Sequence, residues 1–467
     1  MSKIIITGGG AAGSTAAQFA RKQDRKAEIM IVEKSGYPQY SKCGLPYALS
    51  GVIPEVFGLI EFGEEWFEKA KITLRLDSEV VAVDAASRRV TIRDRKNGSE
   101  EEVEYDSLII ATGAEAAMPQ IEGARQEDGS VTGGVIPLRT LDDVILAKSL
   151  CEGAKSAAVI GAGLIGMETA EALHHMGIPT TIIEYMPNLL PVMLDEDMSR
   201  LVDEKVMAAK GLSVLVNHAV TRIRSSGGRV YGVTARNRAS GGEKEVLADL
   251  VVMATGNRPN VAVAGMAGCE TGVTGSIKVN CRSETGVPGV YACGDCTEYG
   301  DFVTGLPIPV GMGTVAVRQG RAAGVNSAGG NYEIVAGILS TRVTDVFGVQ
   351  VAAVGPTVTQ LEKAGVTPVA GKFSGSTLPH YFPGGKPLNA KVLVHPETGK
   401  ILGAQLVGEE QVHQRINGFA AAIQAGMTAS EFSKLETAYA PPVAPTLDVI
   451  TLVCDAAMAK LGRKQSN

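Results

Sequence analysis

Apolar and polar positions set out the plan of the chain. An unbroken apolar run, KIIIT, ends in the glycine turn GGGAAG, continues as small residues of helical period, STAAQFA, and reaches a second apolar run, EIMIV. Short apolar runs bounded by turn residues predict buried parallel strands, and the segment between them predicts a helix. The series returns as AAVI, GAGLIG, METAEAL and TTII, so a strand, turn, helix, strand unit occurs twice. Further strand-like runs end in SLIIATGA (Ser107 to Ala114), LVVMATGNRP (Leu250 to Pro259) and GVYACGDC (Gly289 to Cys296). Towards the end the pattern changes to alternation in AKVLVHPETGKILGAQLVG, where PETGK predicts a hairpin turn, followed by two amphipathic helices. The first part is therefore α/β and the last part α+β.

Spacing turns the two units into candidate nucleotide sites. Gly8, Gly10 and Gly13 are followed by Glu33 twenty residues later, and Gly161, Gly163 and Gly166 by Glu184 eighteen residues later. Such glycines allow a tight turn, let backbone approach a pyrophosphate and pack helix on strand, while the acid at the end of the second strand accepts from ribose hydroxyls. One motif alone is weak evidence; two complete units are not.

At 467 residues the chain calls for about three domains. The balance of 44 basic and 50 acidic residues, with no long basic run, argues against nucleic acid as partner. No segment has the length and apolarity of a membrane helix, and no leader pattern precedes the first strand, so a cytoplasmic protein is expected, ordered except for its last few residues. Seven scattered cysteines do not suggest a disulfide framework. Cys293 and Cys296 form a CxxC, read here as buried side chains in preference to a redox pair or half a zinc site.

With these motifs in this order along nearly the whole chain, the sequence resembles the pyridine nucleotide-disulfide oxidoreductases, flavoproteins with two Rossmann-like dinucleotide-binding domains and a C-terminal dimerisation domain. The resemblance implies an FAD domain at residues 1–116 and 249–327, an NADH domain at 117–248, a dimerisation domain at 328–467, and a homodimer. It implies FAD at Gly8, Gly10, Ala11, Ala12, Gly13, Glu33, Lys34, Ser41, the Ala111, Thr112, Gly113 turn, and Gly294 with Asp295 on the ribityl chain. It implies NADH at Gly161, Gly163, Leu164, Ile165, Gly166, Glu168, Glu184 and the Ala254, Thr255, Gly256 turn, with Glu168 near the nicotinamide. A helix starting within Pro309 to Arg321 would point its N-terminus at the flavin.

Cys43 lies in SKCGLPY, just ahead of a short helix expected to begin near Pro46. That helix and Lys42 are expected to favour the thiolate. Members of the family that form an internal disulfide carry two cysteines four residues apart in this loop; here there is one, so the chain resembles the single-cysteine branch. That branch includes coenzyme A-disulfide reductases, persulfide or polysulfide reductases, NADH oxidases and NADH peroxidases. The resemblance implies a sulfur substrate, a coenzyme A derivative, reduced through Cys43, with Tyr381 and Tyr439 as acids supplied by the partner subunit. Oxidase and peroxidase members place a histidine where Ala11 stands. Arg21 and Lys22 are candidates for coenzyme A phosphates or simply a solvated helix end, and His413 is expected to be structural. A structural or signalling flavoprotein and a nucleotide-binding module without turnover are the competing classes, both excluded if NADH bleaches the flavin. With no basic residue from Tyr185 to Ser199, NADH is expected to be preferred to NADPH.

Overall fold

The computed structural model describes residues 2–465, without the side chains of residues 463–465. Ser466 and Asn467, among the last residues expected to lack order, lie outside the described residues, and the final helix runs to Gln465.

Both glycine-turn units form five-stranded parallel sheets. The first has the order Val290–Ala292, Ser107–Ile110, Lys3–Thr7, Glu28–Val32, Thr73–Arg75. The second repeats it as Val135–Pro137, Leu250–Met253, Ala157–Ile160, Thr180–Ile183, Leu212–Leu215. Strands such as Ser107–Ile110 and Ala157–Ile160 are buried at every position, as apolar runs covered on both faces require. Leu250–Met253 pairs within the second sheet, so the chain crosses back after Met253 and not at residue 249. The crossing is an antiparallel pair, Ala114–Ala116 with Asn257–Pro259.

The C-terminal part is an antiparallel five-stranded sheet, with Pro387–Val394 and Ile401–Gly408 as the expected hairpin. Three helices follow: Val412–Gln424, Ala429–Ser433 and Val449–Gln465. The short middle one, closed by a Thr428/Glu431 capping box, is the addition to the two expected. Among the described residues no helix is long and apolar enough to cross a membrane.

Small residues bring two helices of the first unit close together. Ala11–Gln23 buries Ala12, Ala16, Ala17 and Ala20 against Gly313–Ser327. A Cβ at Gly320 would stand 2.4 Å from the Ala12 carbonyl oxygen, and one at Gly324 would stand 2.2 Å from that of Ala16. The helix Gly313–Ser327 begins within the expected Pro309 to Arg321 segment, after Pro307–Pro309, which pairs as a strand with Thr297–Gly300.

Candidate functional site

The two glycine turns are built alike. Gly8 and Gly161 have φ of +106° and +103°, and a Cβ on either would strike the carbonyl oxygen of Ala111 or Ala254. A Cβ on Gly13 or Gly166 would strike the oxygen of Gly8 or Gly161. Around Gly10 and Gly163 the space is open. The helices starting at Ala11 and Leu164 have neither a side-chain cap nor an acid in the first turn, so free N–H groups and the positive helix end meet at those openings. A dinucleotide pyrophosphate fits both places by charge and by space.

Each acid is locked to its own turn. Glu33 accepts from the Gly9 N–H at 2.7 Å and the Ser35 N–H at 2.8 Å. Glu184 accepts from the Ala162 N–H at 2.6 Å and the Met186 N–H at 2.7 Å. The threonines of the two ATG turns hold the crossing: Thr112 donates to the Asn260 oxygen and Thr255 to the Ala117 oxygen, both at 2.6 Å. Ser41 precedes the cysteine turn with its N–H on the Leu59 oxygen, and Lys34 is exposed, its carbonyl held by Arg95.

Cys43 lies in a three-residue 3-10 turn, Lys42–Gly44, which leads into the helix Leu45–Ser50. At Gly44 the chain packs closely, and a Cβ there would lie 2.2 Å from Leu59 Cδ2, so that side chain would have to shift. Leu45, Ala48 and Leu49 pack into the core of the second unit with Leu141, Val144 and Met167. Lys148 donates to the Ala48 oxygen at 3.3 Å and Tyr37 to Asp142 at 2.8 Å, so the thiol's loop is held against the second unit.

The thiol's surroundings correct one expectation. Cys43 is pushed above the ordinary thiol range, by burial first, then by the Glu168 and Asp295 carboxylates, with Arg139 opposing. Lys42 is pushed below the usual lysine range by desolvation and then by Arg139. Both residues keep exposed surface, so this is the desolvation of a crowded groove floor, weaker than that of a sealed pocket. A six-residue helix has little dipole to offer, and the largest effect of any charged group on the sulfur is that of Glu168. Glu168 itself is pushed up by burial, with Thr344 opposing through a hydroxyl donated at 2.9 Å.

Asp295 follows Gly294, which has φ of +82° beside Ala12, and its carboxylate pairs with Arg139 at 2.7 Å. Sequence reasoning missed Arg139. The available signal was the Thr140/Asp143 capping box, which places the preceding residue at a helix entrance. Cys293 and Cys296 are buried free thiols; burial pushes Cys296 up to about 11. Arg21 is largely engaged by backbone, donating to the oxygens of Ala70, Asp24, Arg25, Ala27 and Lys71, which leaves one Nη2 N–H and no bidentate fork for a phosphate. Lys22 lies over the Phe19 ring.

Tyr381 and Tyr439 are brought together, their hydroxyls 2.7 Å apart on the exposed C-terminal surface. Among the described residues neither makes a hydrogen bond to Cys43 within one chain. Leu435, Val443 and Leu447 near them are exposed apolar side chains. His413 lies exposed in the first turn of its helix.

Comparison with known proteins agrees with this layout. The family model for pyridine nucleotide-disulphide oxidoreductases matches residues 2–324, and the model for that family's dimerisation domain matches residues 343–449. An NADH oxidase of Methanocaldococcus jannaschii is 34% identical over 99% of this chain and 100% of its own. An NAD(P)H coenzyme A polysulfide/persulfide reductase of Pyrococcus horikoshii is 31% identical over 97% of each. The solved structure of an NAD-dependent persulfide reductase from A. fulgidus superposes with a TM-score of 0.93 at 36% identity, covering 99% of this chain and 84% of that one. With the family model spanning both parallel sheets and the dimerisation model the antiparallel one, the chain belongs to the pyridine nucleotide-disulphide oxidoreductases.

Proposed function

We propose that this protein reduces a sulfur substrate, a coenzyme A disulfide, a persulfide or a polysulfide, with NADH as donor, FAD as carrier and Cys43 as the thiol that engages the substrate. The observation that carries the reading is a single exposed cysteine within the field of charged groups of both nucleotide units, Asp295 of the first and Glu168 and Arg139 of the second. FAD at the first turn and NADH at the second supply the hydride and the electron pair that finally cleaves a sulfur–sulfur bond.

The chain's own residues bind, orient and handle protons. The Gly8 to Gly13 and Gly161 to Gly166 turns hold the pyrophosphates, and Glu33 and Glu184 the riboses. Ala11, Ala12, Lys34, Ser41, Ala111, Thr112, Gly113 and Gly294 line the first cofactor, with Asp295 on its ribityl chain. Leu164, Ile165, Glu168, Ala254, Thr255 and Gly256 line the second. The Cys43 thiolate attacks one substrate sulfur and the other sulfur leaves as a thiolate. A proton for that leaving group comes from the Tyr381 and Tyr439 pair of a second copy, whose exposed apolar neighbours support a homodimer. Free cysteines throughout support a reducing compartment, hence the cytoplasm.

A panel of coenzyme A disulfide, coenzyme A persulfide, polysulfide, peroxide and oxygen, each with NADH, tests the reading. Sulfur substrates should lead the panel, because Ala11 leaves no histidine in the first glycine turn. Cys43→Ser should still bleach its flavin with NADH while losing sulfur turnover by at least about a hundredfold, since the step it removes has no other nucleophile. Tyr381→Phe with Tyr439→Phe should slow thiol release by about tenfold or more, as loss of a general acid does. A second reading, NADH oxidase, is favoured by the name of the M. jannaschii relative, and dominant oxygen turnover would establish it in place of the first.

A further inference from the structure

Arg238 lies far in sequence from both glycine turns, yet the fold sets it against Tyr185, the residue after Glu184. Its guanidinium carbon stands 3.8 Å from the ring centroid of Tyr185, the residue that follows the acid. Nη1 donates to the Tyr185 oxygen at 3.1 Å and to Asn217 Oδ1 at 3.4 Å. The surrounding backbone closes the arrangement: the Arg238 N–H donates to the Asn217 oxygen, and the Asn217 N–H to the Met186 oxygen. Nε and Nη2 make no hydrogen bond, and no carboxylate pairs with this arginine, among the described residues. Arg238 is exposed, a free cation stacked on a tyrosine.

Glu184 is the contrary case. It is buried, and each of its oxygens already accepts from a backbone N–H, which offsets part of its charge. The end of the second strand of this unit therefore carries a screened anion at Glu184 and, stacked on the next residue, a guanidinium with no carboxylate partner among the described residues.

We propose that Arg238 is a specificity-determining residue that receives the 2′-phosphate of NADPH, so that the protein takes NADPH as well as NADH. The inference rests on the second glycine turn being the pyridine nucleotide site. A guanidinium with free fork donors suits a phosphate bidentately, and a cation near the ribose acid is what a 2′-phosphate requires. The stretch after Glu184 has no basic residue of its own, and the cation arrives from a distant turn.

Two measurements with Arg238→Ala and Arg238→Lys holoenzyme test this: kcat/KM for flavin reduction by NADPH and NADH, and calorimetric binding of NADP⁺ and NAD⁺. The alanine variant should lose about tenfold in both NADPH efficiency and NADP⁺ affinity, the size of one charge-assisted contact, with NADH and NAD⁺ changed less than about threefold. Lysine should restore part of the loss. If neither nucleotide reduces the flavin but NADP⁺ binding still depends on Arg238, the catalytic reading fails and this inference stands. Wild-type protein that does not bind NADP⁺, or losses equal for both nucleotides, would overturn it.

Discussion

Glu168 disfavours ionisation of the Cys43 thiol, and burial disfavours ionisation of both groups. Only the thiolate attacks sulfur or an alkylating agent, so a raised thiol means reactivity that climbs with pH through a window above the ordinary thiol range. Iodoacetamide labelling of Cys43 in the resting protein, followed by mass spectrometry across pH, should show that climb. Glu168→Gln removes the largest charge on the sulfur, which favours the thiolate, so the profile should move to lower pH and labelling near neutrality should rise by about three- to tenfold. A profile unmoved by the substitution would remove Glu168 from the causes and leave burial and Asp295. Cys43 was legible because a lone cysteine in a glycine- and proline-broken loop stands out in the sequence, but its electrostatics were not. Lys42, adjacent in sequence, acts on it less than Glu168, Asp295 and Arg139, which arrive from three distant segments. Arg238 escaped notice for the same reason: no pattern links it to Tyr185 until the strand Arg229–Asn237 ends beside it.

Among the elements, the parallel strands and the hairpin were legible because their burial patterns are written in unbroken or alternating apolar runs. The short strand Pro307–Pro309 just before the helix Gly313–Ser327 was not, since two prolines carry no alternating or unbroken apolar run. The same helix makes a test of close packing. In an open helix, glycine to alanine gains roughly 0.5–1 kcal/mol from propensity. At Gly324 the added methyl would meet the Ala16 carbonyl oxygen, which is backbone and cannot turn aside. Gly324→Ala should therefore destabilise the protein by about 1–3 kcal/mol, the usual range for overpacking, and lower flavin retention because the first glycine turn leads into the displaced helix. A melting temperature equal to or above that of the parent would refute this close crossing.

At the scale of the whole molecule, the repeated unit was legible and the seams between units were not. The C-terminal sheet is joined to the second unit by polar contacts that no local pattern announces. Lys391 pairs with Asp195 and Asp197 at 2.7 and 2.8 Å, Gln405 brackets Asp195, and the Phe347 N–H meets Glu171 at 2.5 Å. Within a chain whose first and second units look separable, the helix Leu45–Ser50 has the sequence address of the first and the packing address of the second. Amide exchange reports which address governs, because residues that open together exchange together. The Leu49 and Gly51 amides should lose protection in step with Val159 and Ile182 of the second sheet, and not with Ile5 and Ile109 of the first. The segment that carries the thiol would then belong to the second unit's cooperative opening, so a mutation that loosens that sheet, however far from sulfur, would unmoor the nucleophile while leaving the first sheet intact.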